Sequence, residues 1–79
     1  MHHEPMPSER VTARRRAIGE QIRAARLYAN LSQEEVALRA GIRIASISEI
    51  ELGHRAALLD SLIRIADAIG VPLADLVRE

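Results

Sequence analysis

Leu31-Ser32-Gln33-Glu34-Glu35-Val36, followed at Ala40-Gly41-Ile42 by a stop and a restart, is the stretch on which the fold turns. Ser32 stands where an N-cap oxygen accepts from a free backbone amide. Glu35, three residues on, can reach back to the Ser32 amide, the reciprocal arrangement of a capping box. Leu31 before the cap and Val36 one turn into the helix are spaced to pack on each other as a hydrophobic staple. Val36, Ala37 and Ala40 then form one inward stripe, and Gly41 closes the element. The spacing predicts a short helix over Gln33–Ala40.

Working outward, Ile42, Ile47 and Ile50 mark the buried side of a second short helix that ends at Gly53, with Arg43, Ile44, Ala45, Ser48, Glu49 and Leu52 on its outer side. Upstream, Val11, Ile18, Ile22, Ala25 and Ala29 recur at helical steps. That helix has Ser8 available as N-cap and Glu9 in its first turn, starts at about Glu9 or Ala13, runs to Tyr28, and can be ended by Asn30 in a left-handed conformation. Downstream, Leu59, Leu62, Ile65, Ala66 and Ile69 form a further helix closed by Gly70. Pro72 opens a last one through Leu73, Leu76 and Val77. Two short helices joined by a glycine turn form the unit that sets its second member in a DNA major groove.

The remaining composition agrees with an all-α domain. A chain of 79 residues forms one domain. It has no cysteine, so hydrophobic packing rather than disulfides or thiolate metal sites must hold it. Alanine, leucine and isoleucine dominate its apolar set and Tyr28 is its one aromatic residue, a bias toward helix. With Pro5 and Pro7 and no periodicity, residues 1–8 are expected to be a disordered tail and 9–79 the domain. His2 and His3 lack a third ligand, so no metal is assigned to them. No apolar run reaches membrane-span length and no secretory signal opens the chain, so a cytoplasmic protein is expected. No acid–base pair, activated nucleophile or phosphate loop is present, so neither enzymatic activity nor a cofactor is expected.

Net charge is zero, yet between Arg10 and Arg43 eight arginines face three glutamates, a net of plus five balanced by the acidic remainder. Such polarisation can present one positive face to phosphates.

Ile18-Gly-Glu-Gln-Ile-Arg23, Leu31-Ser-Gln-Glu-Glu-Val-Ala37, Ala40-Gly-Ile42, Ile47-Ser-Glu-Ile-Glu-Leu-Gly53 and Leu62-Ile-Arg-Ile-Ala-Asp-Ala-Ile-Gly-Val71 stand in one order and spacing. Together they closely resemble the Cro/repressor helix-turn-helix family, also called the XRE family, over about Ile18 to Leu76. The resemblance implies a five-helix lambda-repressor-like domain and a transcriptional regulator, expected to be a repressor, that binds double-stranded DNA. It implies that Ser32 and Gln33 meet a phosphate at a helix N-terminus. The third helix becomes the reader, with Arg43, Ile44, Ala45 and Glu49 at base edges, and His54 and Arg55 fall where the family has phosphate contacts. It further implies a partly buried ion pair between Arg26 and Glu51.

Several residues depart from the family pattern. Arg43 stands where Ser or Thr commonly caps the reader helix, which weakens the cap. Ile44 and Ala45 can offer only apolar contact to a thymine methyl, and Glu49 can accept from cytosine while repelling phosphate. Backbone attraction must therefore come from elsewhere, and Arg14, Arg15, Arg16 and Arg23 are candidates, the first three either as a solvated helix face or as a minor-groove arm. Leu58 replaces a polar cap and Ala57 a common proline. With Val71, Pro72 and Val77 they are the candidate self-complementary patch of a homodimer that would hold two readers roughly 34 to 36 Å apart on a near-palindromic operator. The alternatives are a protein-interaction module or an antitoxin with a modified helix-turn-helix.

Overall fold

Helix α1 (Glu9–Tyr28) begins where the Ser8 side chain accepts the Val11 amide at 3.1 Å. It ends where Asn30 takes a φ of 63°, letting the Leu31 amide reach the Arg26 carbonyl at 3.0 Å. Four more helices follow: α2 (Gln33–Ala40), α3 (Ile44–Glu51), α4 (Leu59–Ile69) and α5 (Leu73–Val77). The computed structural model describes residues 8–79, and among them no strand occurs. The expected tail, with His2 and His3, lies outside the described residues except for Ser8, which is the α1 cap.

The core forms because each helix offers one apolar stripe. Ile22 of α1, Val36 of α2, Ile47 of α3, Ile65 of α4 and Leu76 of α5 are all fully buried, one from each element. Leu31 and Val36 share this cluster, as the staple requires. Helix α2 packs on α3 and α4, and α1 spans the molecule against both α3 and α5. Burying a side chain of this size stabilises by roughly 1.5 to 3 kcal/mol. With so few such residues, the placement of α3 depends as much on polar and close-packed contacts, described next, as on burial.

Candidate nucleic-acid interface

Helix α3 is seated from below by α1. A Cβ on Gly19 would lie 2.6 Å from the Ile50 carbonyl oxygen and would collide with that of Glu51, so only glycine lets the two backbones approach this closely. Beside this contact Arg26 Nε donates to Glu51 Oε2 at 2.7 Å and Nη2 to Oε1 at 2.9 Å, while Nη1 donates to the Leu31 carbonyl at 3.0 Å. Gln33 Nε2 adds a bond to Glu51 Oε1 at 3.1 Å. Arg26 and Glu51 are both buried, and the hydrogen bond and charge of Glu51 hold the guanidinium pKa above its ordinary value despite burial. One bidentate pair thus ties α1, the α1–α2 turn, the start of α2 and the end of α3.

The far end of α3 is fixed by a Schellman motif. The Gly53 amide donates to the Ile50 carbonyl at 3.0 Å and the His54 amide to that of Glu49 at 2.9 Å. Gly53 adopts a φ of 73°, and a Cβ there would stand 2.9 Å from the Arg16 Cα, so glycine is required on both counts.

The outward face is built differently. Arg43, Ile44, Ala45 and Glu49 are all exposed. Arg43 occupies the N-cap with extended backbone and makes no side-chain cap bond, so the leading α3 amides have no side-chain acceptor. At α2, by contrast, Glu35 N donates to Ser32 Oγ at 3.0 Å and Ser32 N to Glu35 Oε1 at 2.9 Å. The bonds from Ser32, its backbone amide foremost, lower the Glu35 pKa.

The expected phosphate residues separate into two kinds. Ser32 and His54 are exposed. Gln33 and Arg55 are already engaged within the fold. Gln33 holds Glu51, leaving its second amide hydrogen for another acceptor. Arg55 Nη1 donates to Ser46 Oγ at 2.9 Å and lies 3.8 Å from Glu49 Oε1, which places a positive charge against the one acidic residue of the outward face of α3. Nothing in the sequence pattern signals either bond, since both join residues distant in the chain.

Arg14, Arg15 and Arg16 lie inside α1 and are therefore not an arm. Arg14 Nη2 donates to the Val77 carbonyl at 2.7 Å, with Glu79 Oε1 at 3.7 Å from Nε, so it binds the C-terminal end to α1. Arg15 sits half-buried beside Ile18, Ile50 and Leu62. Arg16 lies under Gly53.

The candidate dimer residues are spread along the molecule. Leu58 and Val71-Pro72 flank opposite ends of the 11-residue α4, a length of about 16 Å at 1.5 Å per residue. Ala57, Val71 and Val77 are partly buried against the monomer core, and Leu58 and Pro72 are exposed. The sequence linked these residues only by their apolar character.

Comparison with known proteins agrees with this architecture. The helix-turn-helix family model matches residues 22–76. Control protein C.BamHI of Bacillus amyloliquefaciens is 38% identical over 60 residues, covering 75% of this chain and 74% of that protein. The restriction-modification controller protein C.AhdI from Aeromonas hydrophila superposes with a TM-score of 0.79 at 26% identity, covering 81% of this chain and 97% of that one. The clp gene regulator ClgR from C. glutamicum gives 0.76 at 25% identity, with coverages of 92% and 86%. The hypothetical transcription factor NHTF from Neisseria shares the fold, with a TM-score of 0.78 at 23% identity over 98% of this chain and 86% of that one.

Proposed function

Because the chain belongs to the helix-turn-helix family and is a transcriptional regulator of the XRE type, we propose that it reads a near-palindromic operator as a homodimer and represses from it. The observation that carries this reading is the division of α3: Ile47, Ile50 and Glu51 face inward and are buried, while Arg43, Ile44, Ala45 and Glu49 face outward and serve no packing role. Arg43 is the donor for guanine, Glu49 the acceptor for a cytosine amino group, and Ile44 and Ala45 the apolar contacts for thymine methyls. Ser32, Gln33, His54 and Arg55 flank α3 as phosphate contacts, with Arg55 neutralising Glu49 against repulsion. Resemblance to two control proteins supports a controller of the restriction-modification kind, acting in the cytoplasm. Among the described residues no helix is long and apolar enough to cross a membrane.

Selection of bound sequences from random duplex DNA, followed by titration at several salt concentrations, tests this reading. The expected result is a near-palindromic site and an affinity that falls steeply with salt through counterion release. Alanine at Arg43 or Glu49 is expected to cost about 1 to 3 kcal/mol at the affected base pair. Binding with no sequence preference and no salt slope would overturn it in favour of a protein-interaction module.

A further inference from the structure

Arg55 lies outside α3 yet rests on its outward face. The chain leaves α3 through Gly53, whose φ of 73° turns it back, and the bond from the His54 amide to the Glu49 carbonyl fixes the residue that follows the turn. The next side chain, that of Arg55, is thereby returned onto the helix it has just left. Its Nη1 donates to Ser46 Oγ and stands 3.8 Å from Glu49 Oε1, so one nitrogen spans two residues that are a turn apart on α3. Among the described residues Arg55 is the one cation within 4.0 Å of Glu49. The two side chains are 45% and 50% exposed, and at that exposure an ion pair adds little to stability. What the contact changes is where the carboxylate stands and how much charge it shows.

A lone ionised glutamate is a poor reader of bases, because its side chain samples several rotamers and the flanking phosphates repel it. We infer that Arg55 is a positioning residue for Glu49 and, through it, a determinant of base preference. The inference rests on the reading of Glu49 as the acceptor for a cytosine amino group and deepens it. The guanidinium, anchored on Ser46, attracts Oε1 and offsets its charge, which leaves Oε2 as the acceptor turned to the base. A carboxylate held in this way accepts and never donates. Guanine and thymine, which present only acceptors in the major groove, are rejected there, while the cytosine amino group finds a partner. The remaining N–H groups of Arg55 stay available to a phosphate, so one residue serves the backbone and the reader together.

The test is the base preference of the full-length chain, measured as its relative affinity for every single-base-pair variant of the selected duplex at several salt concentrations. Glu49→Gln identifies the base pair that Glu49 reads. Arg55→Met removes the charge and the donors but keeps an unbranched side chain, and is expected to relax preference at that same base pair by about fivefold or more, beyond any uniform loss of affinity. With Glu49→Gln already in place, Arg55→Met is expected to change preference no further, since the group it acts through is no longer a carboxylate. A uniform loss on all sequences, with a shallower salt slope and unchanged preference, would overturn the inference and leave Arg55 a phosphate contact alone. A shift that persists in the Glu49→Gln background, or that falls on a base pair Glu49→Gln leaves untouched, would overturn it in favour of a direct base contact by Arg55. If Glu49→Gln alone alters no preference, the reading of Glu49 itself fails, an outcome seen before Arg55 is changed and so distinguishable from the others.

Discussion

Helices α2 and α3 have the same length, eight residues each, and opposite ways of being held. Helix α2 starts because its own sequence says so: Ser32 and Glu35 satisfy each other's amides, Leu31 staples to Val36, and two acidic residues, Glu34 and Glu35, occupy the positive end of its dipole. Helix α3 has no side-chain cap, no acid in its first turn and no base in its last. Its position comes from long-range contacts, with Gly19 admitting its backbone, Arg26 and Gln33 gripping Glu51, and Gly53 resting on Arg16. The difference suits the reader role proposed for α3. Outward residues freed from capping duty are available to bases, and unsatisfied amides at the leading end remain for a polar partner.

If α3 depends on its seat, cutting the seat should do the most damage. Glu51→Ala leaves the buried Arg26 without its partner and is expected to lower stability by roughly 3 to 5 kcal/mol. Thermal unfolding checks this, and an unchanged midpoint would mean that α3 is held by something other than the pair. Gly19→Ala pushes a methyl into the Ile50 and Glu51 carbonyls and is expected to cost about 1 to 3 kcal/mol, a steric price with no charge involved. Urea denaturation compares the two directly.

Breaking the local logic of α2 should cost less. Ser32→Ala removes the cap oxygen and is expected to destabilise by about 1 kcal/mol, with α3 contacts intact. The comparison sharpens if Arg43 is replaced by serine, which supplies α3 with the cap it lacks. Arg43→Ser is expected to stabilise the free protein by about 0.5 kcal/mol or more while altering base preference, measured by unfolding and by selection of bound DNA. The smallest effect concerns pH. The folded pKa of Glu35 lies below its unfolded value, so its contribution is present above about pH 4.3 and is lost as pH falls through the lowered folded value. Melting temperature followed from neutral to acid pH should show an acid limb that Glu35→Gln flattens.

The features legible in the sequence were those whose cause is local. The bounds of α2 followed from Ser32, Glu35 and Gly41, and the end of α1 from Asn30, because capping motifs act over a handful of residues. Helical periodicity likewise put Ile47 and Ile50 inward. Contacts between distant segments left no such trace. Gly19 carries no signal in the helical pattern of α1, and in the fold it is the only residue that fits. Gln33 is expected from the family pattern as a phosphate contact, and in the fold it also donates to Glu51. Arg55 reads as a free cation and is bonded to Ser46. The Arg26–Glu51 pair was expected only through family resemblance, since nothing in the periodicity of either helix brings those two residues together.

The same division of α3 bears on how this protein changes over evolutionary time. Its inward residues are interlocked with α1, so a substitution at Gly19, Arg26 or Glu51 lowers stability and a second change elsewhere must restore it. Arg43, Ile44, Ala45 and Glu49 touch none of that machinery. Each can be exchanged singly without first disabling the fold, and under the reading proposed above such an exchange is expected to alter the operator. Descendants of this chain can therefore drift apart in the sites they recognise while remaining nearly superimposable, and duplicated copies can escape each other's targets through a few outward substitutions.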